Sequence, residues 1–403
     1  MTPPERITMT TTRRSIALLA SLAALAACDG PSAAPIEGGG ARGGPASGTV
    51  VVFALDEGTG APVEGAEVAI AAARAHTDAN GRATIAHEGP IDVTVSAPGY
   101  LTERWLGVDA AELTIPLSPS NGEAPVGTVR ARLDGLAAFV PSGARRSIRA
   151  VLGVTRDLTR DPTASVGGLA TCSAEGECAP DLEASAGRAR VYAQIDEVDE
   201  LGARVAPLGF AISDPIEIAP GAMVEASLRS LERGRLRELS VTRPQAPLGI
   251  EAVVGVPGLT IDGQVVVLAE EGGDAPFLLP EAEGNGSYWA VAVGTGEAGS
   301  SRSIVRLPPG EHAATLAPPP LRAPPAAVED GGGLRISGAD GAAMITVTSS
   351  SWRARAFDAR SAIALPEGAA PARVCVTDAE RPAHEWRLYD LEHAWSRRAC
   401  TDL

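Results

Sequence analysis

The sequence predicts an all-β protein built from tandem β-sandwich domains. The 403 residues include 45 glycines and 32 prolines, and only 3% are aromatic. Frequent glycine and proline interrupt helices and are typical of short strands joined by many turns. The apolar segments also alternate between apolar and polar residues with period two, which is the pattern of half-buried strands. A chain of this length is expected to hold several domains, each with its own core.

The first 27 residues are predicted to be an export signal. Arg13 and Arg14 precede the apolar run SIALLASLAALAA, which is too short to span a bilayer as a helix. The run ends at Leu25, Ala26, Ala27 and Cys28, a sequence that resembles the lipobox of bacterial lipoproteins. This resemblance implies that Cys28 is acylated and anchors the chain in a membrane. The alternative is an ordinary secretory signal with a nearby cysteine.

Residues 28–47 are predicted to form a flexible tether, because they are rich in Gly, Pro, Ala and Ser and lack periodicity. The expected location is the bacterial cell envelope, with the outer membrane or cell surface favoured over the inner membrane. Asp29 would favour inner-membrane retention in enteric bacteria, so the leaflet stays open.

The charge excludes one class of partner. The net charge is -16, and no dense arginine cluster opposes it. Nucleic-acid binding requires cationic groups that neutralise phosphates, so nucleic acid is not expected as a partner. Acidity of this size is more typical of solubility than of a cation site.

Residues 48–118 have the most regular strand pattern in the chain. Alternating apolar residues there are expected to share buried faces: Ala66, Val68 and Ile70; Ile91, Val93, Val95 and Ala97; Leu113, Ile115 and Leu117.

A turn is predicted within the segment HTDANGRATI. Asp78 can accept hydrogen bonds from the backbone that follows it, and Asn80 and Gly81 tolerate positive φ. A calcium loop is the alternative, but the segment lacks the alternating oxygen ligands and closing glutamate of such loops. His76 is predicted to be an exposed strand end.

An ordered set of motifs in this region resembles the carboxypeptidase regulatory-like domain. The motifs are Gly48-Thr49-Val50, TGAPVEGAEV at 59–68, TDANGRA at 77–83 and Ala97-Pro98-Gly99-Tyr100. The resemblance implies a prealbumin-like β-sandwich of about seven strands. It also implies an accessory module without catalytic residues, of a kind that recurs on bacterial surface proteins.

The remaining chain is predicted to form further β-rich domains. Their expected ranges are 124–245, 248–320 and 330–403, and the proline-rich segment APPPLRAPP is expected to be a stiff linker before the last of them. The alternative is that the second and third groups form one larger unit.

Four cysteines follow Cys28, and their even number in an exported chain favours two disulfides. Sequence proximity favours Cys172 with Cys178 and Cys375 with Cys400, among three possible connectivities. Zinc is the competing use, but these spacings lack the short paired motifs of zinc sites.

No catalytic constellation is recognisable, so no catalytic residue, metal or cofactor is predicted. The nearest approach to a metal site comprises His384, Glu385, Glu392 and His393, but its histidines lie nine residues apart. Trp289 and Trp352 are expected to be core anchors, because large rings dominate the cores of small sandwiches; stacking on a sugar is the alternative.

The leading functional hypothesis is a non-enzymatic, membrane-anchored envelope lipoprotein. Its partners would be the membrane, through the lipid, and an envelope protein or polysaccharide. The first alternative is a carbohydrate-binding surface lipoprotein that uses Trp289 or Trp352. The second is an enzyme with an unrecognised metal site near His384 and His393.

Overall fold

The structure is a computed structural model, and it describes only part of the chain. The described residues are 34–36, 38–120, 126–157, 170–173, 176–261, 264–268, 276–282, 286–330, 332–358, 360, 362–365, 370–379, 386–387 and 395–403. Within these ranges the elements are β-strands and two 3-10 turns, Leu136–Ala138 and Arg233–Arg235, which confirms the all-β prediction. No helix there is long and apolar enough to cross a membrane.

The first group of strands forms a two-layer sandwich that includes Gly40–Arg42. The predicted flexible tether over 28–47 is therefore wrong for these residues, because they pair with Glu112–Thr114 and Ala41 is 2% exposed. The strands of this group are β1 (Gly40–Arg42), β2 (Val50–Asp56), β3 (Glu67–Ile70), β4 (Ala73–His76), β5 (Arg82–Ile85), β6 (Ile91–Ser96), β7 (Thr102–Val108) and β8 (Glu112–Leu117). One layer has the order β1-β8-β2-β5, and the other has the order β7-β6-β3-β4. The predicted alternation places Val68, Val93 and Leu113 in the core between the layers, with no solvent exposure.

The second group is built on an eight-stranded sheet with the order β13-β12-β10-β16-β17-β19-β9-β14. The strands of the group are β9 (Val126–Asp134), β10 (Ser147–Val154), β11 (Arg156–Asp157), β12 (Ala170–Cys172), β13 (Cys178–Ala179), β14 (Leu182–Ser185), β15 (Gly187–Ala189), β16 (Val191–Val198), β17 (Arg204–Ser213), β18 (Ile216–Ile218), β19 (Met223–Ser230) and β20 (Leu236–Val241).

The third group packs directly on this sheet. Its strands are β21 (Ala252–Ile261), β22 (Gln264–Val267), β23 (Phe277–Pro280), β24 (Ser287–Gly296), β25 (Gly299–Arg306) and β26 (Thr315–Leu316). Every residue of β16 is buried. The strand is covered on both faces, because Ile195 lies in the core of the second group and Tyr192 lies in a core with Leu259 and Leu279 of the third.

The last group contains β27 (Ala326–Asp330), β28 (Gly333–Ser337), β29 (Met344–Thr348), β30 (Trp352–Ala356), β31 (Ala362–Ala364), β32 (Arg373–Ala379), β33 (Trp386–Arg387) and β34 (Trp395–Asp402). A thirteen-stranded sheet contains strands of all four groups, in the order β11-β22-β21-β24-β25-β34-β32-β29-β30-β7-β6-β3-β4. The final strand β34 lies between β25 and β32 and so connects the third group to the last. Strand β30 pairs in parallel with β7 of the first group.

The proline-rich segment is not a free spacer. Leu321 is 7% exposed and packs with Ile250 and Ala292. The next residue, Arg322, donates hydrogen bonds to the Asp378 carboxylate and to the backbone of the last group. The segment is therefore strapped onto the sheet, because its one long apolar side chain and its one charge both find partners there.

Candidate functional site

The segment HTDANGRATI forms a tight turn between β4 and β5. Asp78 Oδ1 accepts hydrogen bonds from the backbone N–H groups of Asn80 and Arg82, each at 2.9 Å. Gly81 has φ of 70°, and a Cβ there would lie 2.6 Å from the Ala54 carbonyl oxygen. The turn thus uses the residue types that a metal loop would also need. His76 is exposed at the end of β4.

The two candidate tryptophans lie in cores. Trp289 is 3% exposed and packs with Val265 and Val291, and Trp352 is 2% exposed and packs with Val347. A ring that stacks on a sugar must present a face to solvent. Both rings thus occupy the core positions that the sequence favoured, and the alternative of a sugar-binding platform at Trp289 or Trp352 is wrong.

The structure contains both predicted disulfides. Cys172 faces Cys178 across β12 and β13, and Cys375 faces Cys400 across β32 and β34. These four thiols are therefore not zinc ligands.

Several predicted residues fall outside the described ranges. They are Leu25, Ala26, Ala27 and Cys28 of the lipobox, and His384, Glu385, Glu392 and His393 of the weak metal candidate. Within the described ranges, no group of three or more His, Cys, Asp or Glu side chains is placed to hold a metal ion.

A buried ion cluster, which the sequence did not reveal, joins β7 to β30. Glu103 is 1% exposed, and its Oε1 accepts hydrogen bonds from Trp105 Nε1 at 3.0 Å and from Arg355, which is itself 2% exposed. Its Oε2 accepts a hydrogen bond from Arg353 Nε at 2.8 Å. Arg353 also reaches Glu57, so two carboxylates face two guanidinium groups. These arginines lie about 250 residues from Glu103, and no local pattern marks such a pair.

The cluster controls the charge of its outer member. Burial raises the pKa of Glu57, but the guanidinium groups of Arg353 and Arg355 outweigh burial and hold the pKa below its ordinary value. Glu57 is thus kept ionised.

A second buried carboxylate lies between the second and third groups. Asp196 on β16 is 2% exposed; its Oδ2 accepts a hydrogen bond from Gln194 Nε2 at 2.5 Å, and its Oδ1 has no hydrogen-bond partner among the described residues. Burial raises the pKa of Asp196 to about 6, against the opposing attraction of Arg204 and Arg149.

The arginines around Asp196 also hold loops in place. Arg149 donates a hydrogen bond to the Gly202 carbonyl oxygen at the tip of the β16–β17 hairpin. Arg204 donates to the Pro276 carbonyl oxygen at 3.1 Å, and its guanidinium carbon lies 3.6 Å from the Phe277 ring centroid. The contacts of Arg204 connect β17 of the second group to the third group, whereas that of Arg149 lies within the second group.

Comparison with known families covers the first sandwich. The family model of the carboxypeptidase regulatory-like domain matches residues 47–115. These residues form a carboxypeptidase regulatory-like domain. The match contains β2 to β7 and most of β8, and it excludes β30 and the cluster arginines Arg353 and Arg355. This match confirms the resemblance that the sequence motifs indicated.

Solved structures give only distant likenesses. The Bacillus anthracis TIE protein is 15% identical, with 67% of this chain and 49% of that chain covered and a TM-score of 0.16. An adhesin candidate from Bacteroides ovatus is 11% identical, with coverage of 49% and 91% and a TM-score of 0.16. A streptococcal ancillary pilin is 10% identical, with coverage of 67% and 97% and a TM-score of 0.13.

Likenesses with TM-scores this low are not evidence about the present chain. The chain spans about half the length of the first of these structures. The comparison with curated proteins gives no match.

Proposed function

We propose that this chain is a non-enzymatic module that binds or scaffolds other components of a bacterial cell envelope. The observation that carries the proposal is the use of its most deeply buried charges. Glu103 joins β7 to β30 through Arg353 and Arg355, Arg204 beside Asp196 reaches Pro276 of the third group, and neither carboxylate faces solvent. The regulatory-like domain supports the same conclusion, because its family is an accessory type without catalytic residues.

The envelope location is supported by two features of the sequence and structure. The lipobox-like sequence that ends at Cys28 fits acylation and membrane anchoring. The disulfides Cys172–Cys178 and Cys375–Cys400 fit an oxidising compartment outside the cytoplasm. The proposed partners are the membrane, through the lipid, and an envelope protein or polysaccharide.

Crosslinking in living cells tests the binding role. The tagged full-length chain is crosslinked, captured and analysed for co-purifying protein and polysaccharide, with Cys28→Ala as the unanchored control. Recovery of one defined envelope component with the anchored chain, depleted with the control, supports the proposal. Recovery of nothing above the untagged background contradicts it.

Metabolic labelling with a fatty-acid analogue tests the anchor separately. The wild-type chain is expected to incorporate the label, and Cys28→Ala is expected to lose it. A Cys172→Ser/Cys178→Ser variant is the matched control, because it removes thiols elsewhere and should keep the label. Labelling that persists in Cys28→Ala would show that Cys28 is not the acylated residue.

A further inference from the structure

The regulatory-like domain and the C-terminal segment, residues 344–403, exchange core side chains. Met344 of the segment is 3% exposed and lies in the core of the domain. Leu106 of the domain is 3% exposed and lies in the core of the segment, with Val347 and Val376. The two cores are therefore interlocked, since each contains a side chain of the other.

An aromatic pair crosses the same junction. The ring of Phe357, in the segment, meets that of Trp105, in the domain, edge to face, with centroids 5.4 Å apart. Trp105 has no solvent exposure. Aromatic pairs of this geometry add to the stabilisation that burial alone gives.

Strands of the segment also extend both layers of the domain. Residues Trp352–Ala356 pair in parallel with Thr102–Leu106 in one layer. In the other layer, β33 pairs antiparallel with β1, with Trp386 opposite Ala41. Without the segment, β7 and β1 would be edge strands with unpaired backbone N–H and C=O groups.

The domain contains a buried charge that the segment neutralises. The two guanidinium groups on Glu103 belong to Arg353 and Arg355, and both come from β30. A carboxylate buried without cationic partners is strongly destabilising. The isolated domain would lack both of these cationic partners of Glu103.

We infer that the regulatory-like domain and the C-terminal segment are a single cooperative folding unit, and that the domain completes its fold only when residues 344–403 dock on it. The last strand β34 closes this unit, because it lies against β32 and is joined to it by the Cys375–Cys400 disulfide. The inference goes beyond the proposed function and holds whatever the chain binds.

Hydrogen exchange of the full-length protein tests this inference. Phe357→Ala changes only the segment, and the readout is the exchange of β2 and β3, which belong to the domain and do not pair with the segment. We expect exchange in β2, β3, β29 and β32 to accelerate together, by about 10- to 100-fold, as expected for loss of a half-buried ring that packs against the domain core. Strands β10 and β16 should keep wild-type protection.

Leu133→Ala is the matched control, because Leu133 has no solvent exposure and lies in the core of the second group. It should accelerate exchange in β10 and β16 and leave β2 and β3 unchanged. If Phe357→Ala does not fold, Phe357→Leu provides the same comparison with a smaller change. Faster exchange in β29 and β32 with unchanged protection of β2 and β3 would overturn the inference.

Discussion

Glu103 and Asp196 are both buried carboxylates, but their surroundings differ. Glu103 accepts hydrogen bonds from an indole N–H group and from two guanidinium groups, so the charged form is compensated. Asp196 Oδ2 accepts a hydrogen bond from Gln194, and Asp196 Oδ1 has no hydrogen-bond partner among the described residues. Both oxygens of the first carboxylate thus have hydrogen-bond donors, whereas the second carboxylate costs stability when it is ionised.

Asp196 is expected to make stability depend on pH. Its pKa is about 6 in the folded chain, against an ordinary 3.8, so the folded state binds more protons between these values. Its contribution is fully present below pH 3.8 and is lost as pH rises through 6. This contribution of Asp196 to the free energy of unfolding amounts to about 3 kcal/mol, at 1.36 kcal/mol per pKa unit.

Asp196→Asn removes this titration. The unfolding free energy of the wild type, minus that of the variant, should increase by about 3 kcal/mol as the pH falls from about 7.5 to about 4. Urea unfolding across this range measures it, and the difference cancels the titration of other groups. A difference that does not change with pH would contradict the account.

Glu103→Gln is expected to destabilise the protein by about 3 kcal/mol, because it removes the carboxylate that the buried Arg355 guanidinium contacts, while Arg353 keeps its contact with Glu57. Arg355→Met removes one of those charges. The double variant should therefore lose less stability than the sum of the two single variants, which a double-mutant cycle of unfolding free energies measures. Additive effects would show that Glu103 and Arg355 do not stabilise each other.

Among the elements, those set by local chemistry were predictable and those set by distant pairing were not. The turn at Asp78, Asn80 and Gly81 follows from residues within four positions of each other. The parallel pairing of β30 with β7 depends on residues about 250 apart, and the sequence of β30 alone does not identify β7 as its partner. The proline-rich segment is predicted as a stiff linker for the same reason. Its docking depends on contacts with Ile250 and Asp378, which are distant in sequence.

Gly60 and Gly81 have the same backbone conformation in two different turns, so substitutions there separate the cost of that conformation from the cost of steric crowding. Gly60 and Gly81 both have φ of 70°, but an added Cβ meets nothing within 4 Å at Gly60 and lies 2.6 Å from the Ala54 carbonyl oxygen at Gly81. Gly60→Ala should cost about 1 kcal/mol for the left-handed conformation. Gly81→Ala should cost at least about 1 kcal/mol more, because backbone must move. Equal unfolding free energies for the two variants would contradict this packing.

For the whole molecule, the sequence predicted the class of fold and the cysteine pairs but not the continuity of the sheet. The four domain ranges remain predictions. Strand β34 is the last described strand and lies between β25 and β32, so one sheet connects groups that the sequence presents as successive segments. The core positions of Trp289 and Trp352 were the favoured prediction, but ring size alone did not exclude the alternative of a binding face.

The Cys375–Cys400 disulfide is expected to stabilise this arrangement more than Cys172–Cys178. Their sequence separations are 25 and 6 residues. In the loop-entropy account these separations correspond to about 3 and about 2 kcal/mol. Thermal unfolding of the Cys375→Ser/Cys400→Ser and Cys172→Ser/Cys178→Ser variants compares them. A lower melting temperature for the second variant would contradict the expectation.

Cleavage of the folded chain between Gly310 and Glu311 tests most directly whether the C-terminal segment is docked on the rest. Both residues are exposed, so a protease recognition sequence can be inserted there, and neither disulfide crosses the cut. The pairings β7–β30 and β25–β34 join the two fragments. We predict that the fragments elute together in gel filtration after cleavage and separate only in denaturant. Separation under native conditions would contradict the account.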